Sequence, residues 1–228
     1  MPTSWSPKAF ALIADNPWFN TWRALANSCW IAIAQSTLAT FCGAGLGFCF
    51  VYVRHTSLRW LHLVVLVSLV MPVTVMAIPL LEWIHMLKLY DSHWAIILPG
   101  SVSALAVLYF QQIFRRVPQS LTDDAQLDGA DAWQCFLLVL GLSRPALLSF
   151  WFLDFIFAWH HHLIPVLMLH QEARMPLPLA LRQLIDSALR SDLSLLMAAS
   201  VISLVPPAIA FGIGYRHIKS ALADVLMD

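Results

Sequence analysis

The chain has 228 residues, of which 60% are hydrophobic and 11% are charged, and its formal net charge is zero. The charged share is about half of that in an ordinary soluble domain, which excludes a water-soluble globular fold because such a core cannot absorb so much apolar surface. The chain also lacks the clustered Lys and Arg that a nucleic-acid-binding surface requires.

The apolar residues form blocks that follow a polar and aromatic lead-in, residues 1–22. About 20 helical residues cross the roughly 30 Å of bilayer hydrocarbon, and these blocks lack the alternation of a barrel strand. We therefore expect an all-α, polytopic membrane helix bundle with about five transmembrane helices. The predicted spans are 24–53, 60–81, 92–114, 145–171 and 193–215, and Asp154 is the one charged residue in the fourth.

Glycine and proline are frequent inside these spans. Gly43, Gly45 and Gly47 lie in the first, and Pro72 and Pro79 lie in the second. Such residues let helices pack closely or bend. Tight packing and a moving hinge both remain open for each of them.

The long loop, residues 115–144, is the most informative segment. An amphipathic pattern around Ala125 predicts a short helix that Asp128 and Gly129 end, and residues 132–142 predict a second, more apolar helix. Gly129 can adopt a left-handed conformation that turns the chain sharply. The resulting helix, turn and helix would carry an apolar face and an acidic rim suited to a groove on a partner, the alternative being a solvated loop.

This loop resembles the EAA loop of ABC importer permeases, in which E-A-A is followed after a short spacer by D-G-A, an apolar run and a proline. The matching residues are Asp123, Asp124, Ala125, Asp128, Gly129 and Ala130, then Phe136 and Ser143, Arg144, Pro145. The resemblance covers about residues 10–219 and is greatest to MalG-like permeases of carbohydrate importers. It is carried by the stretches NPWFNTWRALANS, MPVTVMAIPL, ILPGSVSALAVLYFQQIFRRVP, FIFAW and LLMAASVISLVP.

The resemblance implies a transport subunit of the bacterial inner membrane rather than an enzyme. Residues 23–219 would form the permease domain, with the lead-in 1–22 outside the cell and the loop and the tail 220–228 in the cytoplasm. The implied partners are a second permease subunit, two ATP-binding subunits and an extracytoplasmic solute-binding protein, besides membrane lipid. The chain has no G-x-x-x-x-G-K-[ST] phosphate loop, so we expect it to bind no cofactor, with ATP and Mg on the partner ATPase.

Several positions depart from the family pattern. Asp123 stands where Glu is usual, Asp124 replaces an alanine, and the segment after Phe136 is one residue short, with Gly141 where a Leu-Pro pair is usual. The family commonly has a further membrane helix before the lead-in. A five-span version and a start upstream of residue 1 are both open.

The fourth span carries Trp159, His160, His161 and His162 in place of the family's Trp-Asn-acid pattern. Successive helical side chains point about 100° apart, so three consecutive histidines do not converge on one ion, and we expect no metal site. Trp159, His160 and His161 with Asp154 are the candidates for the substrate path, and Trp159 and His160 for contact with solute. A packing or interfacial role is the alternative, and Asp154 is expected to face the bundle interior, a cavity or a partner subunit.

The resemblance implies a sugar or related solute, with glycerol-3-phosphate or another small solute as an alternative. An intramembrane enzyme with His161 and Asp154 as acid and base is disfavoured, because no H-E-x-x-H or G-x-S-x-G arrangement accompanies them. An assembly protein whose loop merely recruits a partner is a third hypothesis.

Overall fold

The computed structural model describes residues 10, 11, 13, 20–53, 55–188 and 193–226, with the side chains of 183–196 and 216–226 left out. Most of the predicted lead-in 1–22 and the last two residues of the predicted tail lie outside the described residues. The helices are α1 Thr21–Tyr52, α2 Ser57–Val70, α3 Val73–Met86, α4 Trp94–Ser101, α5 Ala104–Phe114, α6 Gln119–Leu127, α7 Ala132–Leu142, α8 Arg144–His160, α9 Leu163–Met168, α10 Leu177–Ala188 and α11 Leu193–Leu226.

The described residues are helical or lie in turns and connections, with no strand among them, which confirms the predicted all-α class. Three segments are long and apolar enough to cross a bilayer: Thr21–Tyr52, Trp94–Phe114 and Met197–Tyr215. Two bent helix pairs raise that number to as many as five in the described part of the chain, which agrees with the expected bundle.

The first bent pair is α2 and α3, and the chain bends by 115° between them. The sequence predicts one span over 60–81, whereas the helix stops at Val70 and restarts at Val73. Pro72 is the reason, because its ring has no N–H to continue the helix and holds Met71 in an extended conformation with ψ near 124°. The pair is mostly exposed, with Val65, Ala77 and Ile84 its buried residues.

The second bent pair is α7 and α8, and the chain bends by 78° between them. Ser143 separates the two helices, and Pro145 occupies the first turn of α8, where its missing N–H costs no hydrogen bond. The predicted fourth span, 145–171, is helical only to His160 before a break at His161 and His162 and the short helix α9.

The first span, α1, is the centre of the bundle and packs against α4, α5 and α8, while α8 also packs against α11. Close packing of α1 on α5 depends on Gly47, since a Cβ there would lie 2.9 Å from the backbone nitrogen of Gln111 and from the Cβ of Phe110. Gly43 lies one turn earlier and meets Ala106 in the same way, whereas Gly45 has no atom within 4 Å of such a Cβ. This small-residue spacing is the one that lets membrane helices approach closely.

Candidate functional site: the loop hairpin and the cavity beside the fourth span

The loop forms a hairpin of two helices, α6 and α7, joined by a tight turn; we call it the loop hairpin, residues 119–142. The Gly129 N–H donates to the Gln126 carbonyl at 3.0 Å, and the Ala130 N–H donates to the Ala125 carbonyl at 2.9 Å. These two bonds form a Schellman motif, which requires a left-handed residue, and Gly129 supplies it with φ of +91°. The predicted conformation of Gly129 is thereby confirmed.

The second helix of the hairpin begins with a capping box. The Gln134 N–H donates to the Asp131 carboxylate at 2.7 Å, and the Asp131 N–H donates to the Gln134 side-chain oxygen at 2.9 Å. The box satisfies two backbone N–H groups at the start of α7. The predicted helix over 132–142 begins and ends where the sequence indicates.

The inner face of the hairpin is anchored on the membrane helices. Cys135, Phe136 and Val139 are buried in one cluster with Phe110 and Phe114 of α5 and Phe150 of α8, and Ala125 and Ala130 pack against this cluster. Thr122 is also buried, and its hydroxyl donates to the Gln119 carbonyl at 2.8 Å. The inner face of the hairpin is therefore in direct contact with α5 and α8, and close-packed interiors transmit strain.

The outer face of the hairpin is acidic and unpartnered among the described residues. Asp123, Asp124 and Asp128 are exposed, and no ion pair involves them in the described part of the chain. Leu127 lies among these acids with 85% of its surface exposed. An exposed leucine within an acidic rim is suited to a groove with an apolar floor and basic edges.

A cavity of about 320 Å³ lies beside the end of the fourth span, and we call it the α8 cavity. Its wall includes His160 of α8, Arg182 of α10 and Ser200 and Ser203 of α11. The His160 ring hydrogen-bonds to the Ile156 carbonyl at 2.8 Å through Nδ1, so in that arrangement Nδ1 is the donor. Apolar residues complete the wall: Pro178, Leu181, Ala199 and Leu204.

The other predicted path residues lie elsewhere. Trp159 is 3% exposed and donates its indole N–H to the Ser203 carbonyl at 3.0 Å. It therefore packs between α8 and α11, next to the cavity rather than in its lining. His161 and His162 are exposed beyond the end of α8. Asp154 is buried, and its Oδ2 has no hydrogen-bond partner among the described residues.

His161 and Asp154 are not brought together for acid–base work. They are separated by about two helical turns, about 10 Å along the axis, which exceeds direct proton transfer. No group of three potential metal ligands lies together in the described part of the chain.

Polar contacts around Asp91 join the connection between α3 and α4 to the segment after α9, at the opposite end of the bundle from the hairpin. We call this group, Asp91 with His170, Gln171 and Arg174, the Asp91 clasp. Asp91, which has φ of +54°, accepts the N–H groups of His170 and Gln171 at 2.9 and 3.2 Å. Arg174 lies 3.6 Å from its carboxylate and also donates to the Asp91 carbonyl. Partial burial of the carboxylate opposes its ionisation, but these backbone hydrogen bonds and the positive charges of Arg174 and His170 outweigh it and lower the pKa of Asp91 from its usual value near 3.8.

Comparison with known sequences matches residues 35–224 to the family described as the inner membrane component of binding-protein-dependent transport systems. The chain belongs to this family. The matched region contains both the loop hairpin and the α8 cavity. The family is one of transport permease components.

Two permeases illustrate the similarity. The chain is 28% identical over 202 residues to the arabinooligosaccharides transport system permease protein AraQ of Halalkalibacterium halodurans, covering 88% of this chain and 72% of that one. It is 30% identical over 179 residues to the sn-glycerol-3-phosphate transport system permease protein UgpE of Yersinia pestis bv. Antiqua, covering 78% of this chain and 64% of that one. This chain therefore matches less than two thirds of the length of the second relative.

The fold is also that of a solved transporter. A chain of a bacterial ABC transporter involved in the import of the acidic polysaccharide alginate matches 95% of this chain and 81% of its own length, with a TM-score of 0.79 and 18% identity. At that identity the likeness concerns the fold alone. It agrees with the expected permease bundle.

Sequence reasoning identified His160 but missed the other three polar residues of the α8 cavity: Arg182, Ser200 and Ser203. Ser200 and Ser203 are two small hydroxyl residues one turn apart in the otherwise apolar segment Met197–Tyr215 of α11, a signal that could have identified them. Arg182 gives no such signal, because α10 reaches the fourth span only through the tertiary fold. The roles of Asp123, Asp124, Ala125, Asp128, Gly129 and Ala130 in ATPase coupling, and of Trp159, His160, His161 and Asp154 in the substrate path, stay predictions.

Proposed function

We propose that this permease-family chain is a solute-translocating subunit of an ATP-driven importer in the bacterial cytoplasmic membrane. It would pair with a second permease, receive solute from an extracytoplasmic binding protein and be driven by two ATP-binding subunits, which hold ATP and Mg. The loop hairpin would lie in the cytoplasm and seat in a groove of one ATP-binding subunit. The chain itself would bind no cofactor.

One observation carries the proposal: the acidic rim of the loop hairpin has no ion pair among the described residues, and the inner face of the hairpin packs on the membrane bundle. The Schellman turn and the capping box fix its shape, while Phe110, Phe114 and Phe150 tie it to two membrane helices. A hairpin that transmits force must be well packed both at the surface that a partner contacts and at its junction with the membrane helices. The acidic rim around the exposed Leu127 supplies the complementary surface for a basic, apolar-floored groove.

The α8 cavity supports a hydroxylated solute. Its wall combines the imidazole of His160 with the hydroxyls of Ser200 and Ser203. Such groups can both donate hydrogen bonds to sugar hydroxyls and accept them. We expect His160 to contact solute directly and Trp159 to position the wall. A sugar or oligosaccharide is the leading solute class.

A phosphorylated or acidic small solute is the second candidate. The specific observation in its favour is Arg182, which brings a guanidinium to the cavity wall beside His160. Guanidinium groups recognise phosphate and carboxylate well. Replacement of Arg182 by Gln would lower affinity for an anionic solute far more than for a neutral sugar.

Reconstitution with the cognate ATP-binding subunit tests the proposal. The wild-type chain should copurify with that subunit and stimulate ATP hydrolysis when loaded binding protein is added. D123N/D124N, which removes two rim charges, should weaken copurification, whereas E172Q, an exposed acid in the clasp segment, should leave it unchanged. Failure of the wild-type chain to associate with the ATPase, or equal association of both variants, would contradict the proposed role of the rim.

An assembly protein would behave differently in the same experiment. Its hairpin would recruit the ATPase, but substrate-loaded binding protein would leave the rate of ATP hydrolysis unaltered. Solute-dependent ATP hydrolysis therefore separates the importer from the assembly protein.

A further inference from the structure

A second polar cavity lies at the membrane face that carries the loop hairpin. Its volume is about 420 Å³, and it is bounded by the end of α1, the start of α2 and the end of α5. We call it the basic cavity. Its polar lining comprises His55, Thr56, Arg59, His62, Gln111 and Arg115.

The basic cavity carries positive charge without a counter-ion from the described chain. Arg59 lies in the first turn of α2 and Arg115 directly follows the end of α5, and both residues are exposed. Neither has an acidic side chain within 4 Å among the described residues. Two guanidinium groups on one cavity create a positive potential that attracts an anion.

Gln111 provides a second, independent observation. Only 2% of its surface is exposed, yet it lines the basic cavity. Its carboxamide carries an N–H₂ donor, and a ligand oxygen in the cavity could accept a hydrogen bond from it.

The remaining walls of the basic cavity are apolar and lie at the end of the first span. Phe50, Val53 and Leu58 contribute to the lining, and the Phe50 ring lies 5.0 Å from the His62 ring. Trp60, in the same first turns of α2, is 72% exposed, as expected of an aromatic residue at the membrane–water boundary. A ligand here must present an anionic group to the arginines and an apolar body to these side chains.

His55 adds a neutral donor. Its Nδ1 accepts the Ser57 N–H at 3.3 Å, so the neutral ring carries its proton on Nε2. The start of α2 also has no side-chain cap at Thr56, and an uncapped helix start favours negative charge. Guanidinium, carboxamide and imidazole donors thus line one cavity.

We propose that the basic cavity binds the phosphate headgroup of an anionic phospholipid, with Arg59 and Arg115 pairing with the phosphate and Gln111 donating to a headgroup oxygen. The lipid's acyl chains would run along the exposed apolar surface of α2, where Val64 and Val67 are more than half exposed. The proposal is independent of the transport function.

Native mass spectrometry of the purified full chain in detergent tests this site. Phosphatidylglycerol, phosphatidylcholine and inorganic phosphate are titrated separately, and phosphatidylglycerol is also titrated in the presence of inorganic phosphate. The key variant is R59A/R115A, and its matched control is R116A/R144A, which removes two exposed arginines outside the basic cavity. Q111L removes the carboxamide at constant charge, and R59K/R115K keeps both charges.

The proposal predicts that R59A/R115A loses roughly tenfold or more in affinity for phosphatidylglycerol, since each interfacial arginine contributes about a fivefold factor. The control and the lysine variant should bind phosphatidylglycerol within about threefold of wild type. The affinity of Q111L should lie between that of wild type and that of R59A/R115A. Wild type should prefer phosphatidylglycerol to phosphatidylcholine, and millimolar phosphate should not displace the lipid.

Equal losses in the two double-alanine variants would overturn the site, because binding would then follow overall charge. Displacement of the lipid by inorganic phosphate would identify a free-anion site and overturn the lipid assignment. If R59A/R115A misfolds, Q111L and R59K/R115K decide the test. Wild-type affinity for phosphatidylglycerol in Q111L would contradict the proposal, and so would a loss of affinity in folded R59K/R115K.

Discussion

Trp159 of α8 donates its indole N–H to the backbone carbonyl of Ser203 in α11 at 3.0 Å. The bond joins two of the helices that line the α8 cavity, and Ser203 itself lines that cavity. Trp159 is thus placed to fix the width of the cavity while His160 faces it.

Replacement of Trp159 by Phe should lower the stability of the purified chain by about 1 kcal/mol, the usual net contribution of one hydrogen bond. The aromatic packing against Phe155 would persist. Thermal unfolding in detergent measures the loss, with W30F as the control because Trp30 is half exposed on α1. An unchanged unfolding midpoint for W159F would show that the bond to Ser203 is not a structural support.

Replacement of Gly47 by Ala should destabilise the contact between α1 and α5 by roughly 1–3 kcal/mol, because the added Cβ would lie 2.9 Å from the Gln111 nitrogen. Gly45 is the matched control, two residues away on the same helix, where a Cβ meets no atom within 4 Å. We expect G45A to unfold at or slightly above the wild-type temperature, since Ala favours a helix. Equal midpoints for the two variants would favour a hinge over close packing at Gly47.

Replacement of Gly129 by Ala should strain the loop hairpin, because an L side chain at φ of +91° costs roughly 1–2 kcal/mol. Space is open around Gly129 within the chain, so G129W separates backbone strain from contact with a partner. We expect G129W to reduce ATPase association and transport below the level of G129A. G141W is the control, because Gly141 also has open space but lies inside α7. If G129W transports as well as wild type, the turn does not face a partner.

The Asp91 clasp should make stability depend on pH in the acidic range. Its folded-state pKa is lowered, so the carboxylate's contribution is fully present above its unfolded pKa near 3.8 and is lost as the pH falls through the lower folded value. D91N should therefore be less stable than wild type at pH 7, and the difference should shrink below about pH 4. Thermal unfolding at pH 7, 5 and 3 measures it, with E172Q as the control. A difference that is constant over this range would exclude the ionised carboxylate as the cause.

The loop hairpin could be predicted from sequence because its determinants are local. Gly129 after an amphipathic turn, Asp131 three residues before Gln134, and an apolar run to Leu142 specify a helix, a turn and a helix without reference to the rest of the chain. The resemblance to the EAA loop implies that its partner is an ATP-binding subunit, which stays a prediction. Tertiary context was not needed for either.

The fourth span and its cavity could be predicted only in part. Residues 145–171 form an apolar block, and hydrophobicity does not indicate that the helix ends at His160. Arg182 reaches the cavity from α10, far along the chain from His160, through long-range packing that a single sequence does not encode locally. The 115° bend between α2 and α3 was likewise signalled only as a proline at position 72.

The most direct test of the importer hypothesis is the side of the membrane on which the loop hairpin lies. Gln126 is exposed on α6, so a cysteine there, in a chain whose four native cysteines are replaced by Ala, can be labelled with a membrane-impermeant maleimide. A cysteine at exposed Lys88, at the opposite end of the bundle, is the matched control. We predict that intact cells label the Lys88 position but not the Gln126 position, which should label only after the membrane is permeabilised. Labelling of Gln126→Cys in intact cells would contradict the assignment of the hairpin as the cytoplasmic coupling element.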